Sequence, residues 1–270
     1  MSCILDQKHL LTADQMIQFA ASGYLCLPGL VPDDLIKQSH KEIVEGKHTF
    51  LDVMSPFEQT WPKGNALGEI FRLPSVKGII ESLVGPNPYY DHHAHHTVQG
   101  NQMIGPNMHQ DSVIDFRHPQ FDIQISYFPQ KITKEMGGTF FVPGTHVRNV
   151  MTGEISCIQH IRGKRYAECE AGTFYVWHTN VWHGARSNHT EAMRSMFKLR
   201  LCPSQPQIKL FNTEGIKDVD VSVLDSQFGY EGNNHRYDLM KRVELWRYLS
   251  GQPDFDCAEK FLRRSEYTLI

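Results

Sequence analysis

The stretch from about Tyr89 to Leu201 constrains the fold most. It is a series of short runs rich in aromatic and β-branched residues, broken by Gly, Pro and Asn: "FDIQISYF", "GGTFFVPGTH", "AGTFYVWH", "MFKLRL". In "FDIQISYF", Phe121, Ile123 and Ile125 alternate with Asp122, Gln124 and Ser126. A period of two residues is that of a β-strand. Several short strands separated by turn signals predict a β-sandwich or barrel, the jelly-roll type included.

Both flanks follow helical spacing instead. In "LTADQMIQFAASGY", Thr12 is a candidate N-cap and Gly23 a stop, with Met16, Ile17 and Phe19 on one side. "VPDDLIKQSHKEIVEG" opens with a proline and two acids and closes at Gly46, and "PSVKGIIESLVG" repeats the pattern. After Pro203, "RYDLMKRVELWRYLSG" and "DFDCAEKFLRRSE" predict two C-terminal helices. No composition break marks a linker, so the expectation is one domain over residues 1–270, mostly β with flanking α-helices. The segment from about 203 is expected to serve as a lid or a dimer surface.

Composition narrows the function classes. A net charge of −3 gives no reason to expect nucleic acid or an anionic membrane as partner. No apolar run approaches the ~20 residues that span a bilayer. Six scattered cysteines without a CxxC pair predict reduced thiols and a cytoplasmic chain, as does a start lacking the pattern of a secretory signal. The expected partner is a small molecule, and the expected state a monomer or homodimer. Histidine stands out at 15 residues.

Two of those histidines belong to patterns with chemical meaning. "PNMHQDSV" places His109 and Asp111 two apart. On a strand, residues i and i+2 face the same way, so an imidazole and a carboxylate can converge. Downstream, "TNVWHGARSNHTEAMRSMFKLRL" offers His183 and His189 as a third ligand, with Arg186, Arg194 and Arg200 nearby. Two imidazoles and one carboxylate on one side of a metal form the facial set of non-haem Fe(II) oxygenases, which leaves positions open for co-substrate and O2. Arginine suits a second carboxylate because its planar fork binds it bidentately. "YYDHHAHHTVQG" holds four histidines but no cysteine, which argues against structural zinc. It reads as a strand with His93 and His95 on one side and His92 and His96 on the other.

The order of these motifs resembles the phytanoyl-CoA dioxygenase family of Fe(II)/2-oxoglutarate-dependent oxygenases. The resemblance rests on "HQD" at His109–Asp111, "GGTFFVPGTH" at Gly137–His146, "VWHGARSNHTEAMR" at Val181–Arg194, and "FAASGYLCLPGLVPDDLI" near the start. It covers roughly Leu11 to Leu201. It implies a double-stranded β-helix, a cupin-like jelly roll, with iron on His109, Asp111 and His183. Arg194, 11 residues after His183, would hold 2-oxoglutarate, and His189 would be a loop residue.

Where the family often carries a serine two residues after the distal histidine, this chain has Ala185. A co-substrate contact is therefore expected from the strand with Thr97 and Gln99. His95, Trp182 and Arg117, with His118 beside it, are candidate substrate contacts. His146 is expected to bond locally and not to bind metal, and Arg200 to be a solvated charge. The implied reaction is hydroxylation or another oxidation of a C–H bond in a small molecule, such as a secondary metabolite, with release of succinate and CO2. The rivals are a cupin-type metal enzyme, dioxygenase or isomerase, that needs no 2-oxoglutarate, and a non-catalytic binding protein on the same fold.

Overall fold

The computed structural model describes residues 6–47, 51–53, 62–105, 107–111, 119–148, 161–225 and 232–255. Nine strands form two antiparallel sheets among these residues. The large sheet runs β1 (Tyr24–Leu27), β7 (Thr173–His178), β4 (Ile123–Phe128), β9 (Arg194–Cys202), β3 (Tyr89–Val98), β2 (Leu51–Val53). The small sheet runs β6 (Arg165–Tyr166), β5 (Phe140–Val142), β8 (Trp182–Gly184). The segment around His109 adds to β8 through reciprocal backbone bonds between His109 and His183, each 2.9 Å. The architecture is a mostly β double-stranded β-helix with flanking helices.

Among the described residues five α-helices accompany the sheets: α1 (Ala13–Ser22), α2 (Asp33–Val44), α3 (Ala66–Arg72), α4 (Pro74–Val84) and α5 (Gly232–Ser250). The predicted caps of α1 are present. Thr12 Oγ1 accepts from Gln15 N, and Gln15 Oε1 accepts from Thr12 N, a reciprocal capping box. Met16, Ile17, Phe19 and Ala20 are fully buried against the large sheet. Burying a ring such as Phe19 contributes about 1.5–3 kcal/mol.

The large sheet has two different faces. One carries Ile123, Ile125, Phe174, Val176, Phe197, Leu199 and Leu201 and packs under the helices. The other faces the small sheet, where Phe128, Tyr175, Trp177 and Met196 meet Phe141. Cover on both sides explains why all six residues of β4 are buried, although the sequence alternates. α5 lies in the helix layer. Leu239, Val243, Trp246 and Leu249 are core residues there, so this part of the segment after 203 is packed into the body of the protein. The second predicted C-terminal helix falls almost wholly outside the described residues.

Gly23 ends α1 in the left-handed region, at φ +81°. A Cβ there would stand 2.5 Å from His146 Nδ1 and from Val181 Cγ2, so only glycine fits both the conformation and the space. The turn it makes is stitched to the sheets. Gly144 N donates to Ser22 O at 2.8 Å and His178 N to Gly23 O at 2.9 Å. His146 shares a 3.1 Å hydrogen bond with Ala20 O. His146 was expected to bond locally; it instead bonds α1, 126 residues earlier.

Candidate metal centre

His109 sits on the segment paired with β8, and His183 is the middle residue of β8. The two reciprocal backbone bonds bring their rings to 4.4 Å between centroids. Asp111 is placed by its own backbone, whose N–H donates to Thr179 O at 3.0 Å. A ligand atom from each of the three side chains lies within 4.8 Å of the others. His109 Nε2 is 3.4 Å from Asp111 Oδ1, and His183 Nε2 is 3.0 Å from Asp111 Oδ2.

Both imidazoles are held from behind. His109 Nδ1 lies 2.5 Å from Asn107 O, and His183 Nδ1 2.9 Å from Val181 O. A carbonyl only accepts, so each Nδ1 carries a proton, and each Nε2 faces Asp111, where a metal would displace any proton on it and take the lone pair. This arrangement is the one that fixes tautomer and ring direction in metal-binding histidines. The "PGTH" turn supports His183 further. Thr145 Oγ1 donates to Val142 O at 2.7 Å and accepts from Trp182 N at 2.9 Å, anchoring the residue before His183.

The electrostatics favour an ionised Asp111. Burial alone would raise its carboxyl, but hydrogen bonds from His109 and His183 and the Lys198 charge outweigh it and hold it well below the usual carboxylate range. The Asp111 carboxylate in turn raises His109. Access is lopsided, with the His109 side chain 37% exposed and that of His183 only 7%. Solvent and ligands therefore approach from the His109 side.

Two neighbours of Asp111 were not foreseen. The Gln124 side-chain amide donates to Asp111 Oδ2, and Lys198 Nζ lies 3.9 Å from the same oxygen. The signal for Gln124 was present in "FDIQISYF", where alternation sets it opposite the apolar positions. A polar side chain on a strand covered on both faces has to meet a polar partner.

Arg194 opens β9 and is 5% exposed. Its Nε donates to Met136 O and its Nη2 to Arg186 O, each at 2.9 Å. Burial, and then the neighbouring Arg186 charge, push its pKa down to about 10, still charged at neutral pH. Among the described residues no carboxylate pairs with it. Arg186 is turned elsewhere, its guanidinium 4.3 Å above the Tyr166 ring. Arg200 is an ion-paired residue and not a solvated charge, 2.9 Å from Asp122 and 3.3 Å from Asp91.

Several expected contacts point away from the triad. His95 pairs with Phe197 across β3 and β9 and stacks on its ring at 4.5 Å. Phe197 belongs to the core under the helices, so His95 faces that core. Thr97, two residues on, shares the face of His95. Gln99 lies beyond the end of β3, where its backbone N–H donates to Gln102. Trp182 packs with Met108, Phe140 and Val142 on the outer face of the small sheet. The inner ring is Trp177, 5.5 Å from His183. His189 sits in the loop after β8 and donates its backbone N–H to Glu135 O. Arg117 and His118 lie outside the described residues.

A double-stranded β-helix presenting two imidazoles and one carboxylate defines a class, the non-haem iron oxygenases. Comparison with known families then places the chain. Residues 19–196 match the family model described as phytanoyl-CoA dioxygenase, and the chain belongs to that family. The family joins iron with 2-oxoglutarate as co-substrate, so the chain is a 2-oxoglutarate-dependent non-haem iron oxygenase.

No protein of curated function matches it in sequence. Among solved structures, HygX from Streptomyces hygroscopicus with iron bound superposes with a TM-score of 0.58 at 13% identity, covering 72% of this chain and 87% of HygX. SnoK, a non-haem alpha-ketoglutarate-dependent carbocyclase from nogalamycin biosynthesis, gives 0.53 at 13%, covering 72% and 87%. EctD from S. alaskensis with 2-oxoglutarate and 5-hydroxyectoine gives 0.53 at 16%, covering 72% and 76%. At these identities the likeness is one of fold. No helix among the described residues is long and apolar enough to cross a membrane.

Proposed function

We propose that this chain oxidises a C–H bond of a small organic molecule, most simply by hydroxylation, with iron held by His109, Asp111 and His183. One observation carries the reading: both Nδ1 atoms are tied to carbonyls, so both Nε2 atoms converge with an ionised carboxylate. That donor set, with one face open, suits Fe(II). When bound, the iron and 2-oxoglutarate supply the oxidising power: O2 is consumed, 2-oxoglutarate leaves as succinate and CO2, and a substrate C–H bond is oxidised.

The protein's own groups do the rest. His109 and His183 give neutral nitrogen ligands in a fixed direction. Gln124 steadies the Asp111 carboxylate. Arg194, braced by Met136 O and Arg186 O, keeps donors free for the far carboxylate of 2-oxoglutarate. Trp177 and Phe141 pack beside the His183 ring and keep water from that side of it. The class of substrate finds support in two fold neighbours whose names carry small molecules: SnoK belongs to nogalamycin biosynthesis and EctD holds 5-hydroxyectoine.

The test is anaerobic. Fe(II) and then 2-oxoglutarate added to the metal-free protein should give the visible charge-transfer band of a chelated keto acid, at one iron per chain. His183→Ala should remove it. Iron binding without a band would overturn the assignment in favour of a cupin-type enzyme that needs no 2-oxoglutarate.

A further inference from the structure

On β9, Arg194, Met196, Lys198 and Arg200 share the face that looks toward the small sheet. Three are cations, in three different situations. Arg194 is braced by two carbonyls, and Arg200 is neutralised by Asp122 and Asp91. Lys198 has neither arrangement. Its side chain is 12% exposed, and among the described residues its one ion pair is with Asp111, at 3.9 Å. That distance is too long for a hydrogen bond. Asp111 is already occupied, with His109 at Oδ1 and His183 and Gln124 at Oδ2. A metal on the triad would draw on the same carboxylate. Among the described residues no acceptor lies within hydrogen-bond distance of Lys198, so a largely buried ammonium faces the triad with donors an anion could take.

The two ends of 2-oxoglutarate have other hosts in the proposed arrangement, the metal for the keto acid and Arg194 for the far carboxylate. Arg194 and Lys198 stand four residues apart, about 14 Å along the strand. The anion at Lys198 is therefore a third one. The approach to it is open: His96, on the neighbouring strand and the same face, is exposed.

We propose that Lys198 holds a carboxylate of the organic substrate beside the iron, so that the substrate class is an organic acid. This rests on the oxygenase reading above. It makes Lys198 a substrate-binding residue that fixes which carbon lies nearest the metal.

The test uses the full chain loaded with Mn(II) and saturated with 2-oxoglutarate, with ¹³C-labelled acetate as the probe. Paramagnetic relaxation of the acetate carbon should rise and saturate in the wild type. It should weaken at least 10-fold in Lys198→Met and persist in Lys198→Arg. Mn(II) binding, read by electron paramagnetic resonance, is checked first, and 2-oxoglutarate affinity of each variant is read from the charge-transfer band of the Fe(II) form. Absence of saturable acetate binding in the wild type overturns the proposal. So does equal binding in Lys198→Met, which would mean acetate on the metal itself. A 10-fold loss of 2-oxoglutarate affinity in Lys198→Met would assign Lys198 to the co-substrate and overturn it as well. A wild type that binds no Mn(II) defeats the oxygenase reading and this one together, whereas Mn(II) binding without acetate defeats this one alone.

Discussion

The two faces of β3 and β9 are built from similar letters and do opposite work. On the helix side, His93 and His95 lie buried with Phe197, Leu199 and Leu201. On the inner side, His92 and His96 lie with Arg194, Lys198 and Arg200. Four histidines on one strand, two to a face, contribute nothing to the triad. The ligands come from His109 and His183, whose backbones bond each other and whose Nδ1 atoms are tied down. Abundance of histidine is thus a poor guide to a metal centre; backbone pairing that sets two rings beside a carboxylate is a better one.

That contrast can be broken by substitution, and the inner face should respond most strongly. His183→Ala should lower Fe(II) affinity by more than about 100-fold, since even indirect supports of a ligand cost 10- to 100-fold. Titration of the metal-free protein with Fe(II) checks this, and near-wild-type binding would remove His183 from the centre. On the helix face, Phe197→Ala should cost about 3–5 kcal/mol of stability in urea unfolding. The same variant should leave Fe(II) affinity nearly unchanged at a temperature where it is folded. A large loss of metal binding there would show that the two faces are not separable.

Arg194→Met should weaken 2-oxoglutarate by about 2–4 kcal/mol while iron binding holds. The charge-transfer band measured against co-substrate concentration reads it, and unchanged affinity would hand the role to another group.

pH gives an independent probe of buried rings. His146 is held well below its ordinary pKa by burial and then by the neighbouring His178 ring and the Arg242 charge, and burial pushes His178 down to about 3. Both rings stay neutral in the folded chain and take a proton once unfolded, near 6.5. Stability should be full above about pH 6.5 and fall as pH drops toward 3, by up to about 1.4 kcal/mol per pH unit for each ring. Urea midpoints at pH 6.5 and 5 check the slope, and His178→Phe should flatten it. An unchanged slope in that variant would place the acid sensitivity elsewhere.

Much of the centre was legible in the chain. The His109–Asp111 spacing and His183 come together as the sequence pattern implied, whereas the arginine 11 residues later is placed only by its bonds to Met136 O and Arg186 O. The caps were legible too, since Thr12 and Gly23 mark α1 through bonds to their own neighbours. What failed was the choice of face. Alternation shows that His95 and Thr97 go together, but not whether their side looks at helices or at the small sheet. Both sides are covered, so hydrophobicity gives no answer. Trp182 was misplaced for the same reason, because both faces of β8 are buried and the outer one is apolar. The role of His146 was out of reach because its partner lies 126 residues away. Arg200 looked solvated because Asp91 and Asp122 reach it from other strands.

The reciprocal backbone clasp between His109 and His183 separates architecture from chemistry. Amide groups close it, and the identity of the rings above them does not enter. A descendant that exchanged either imidazole would forfeit its metal yet keep the clasp, and with it the join between the His109 segment and the small sheet. Such a lineage can pass through a silent, folded ancestor and later be refitted for another task. The scaffold is inherited on different terms from the reaction it houses.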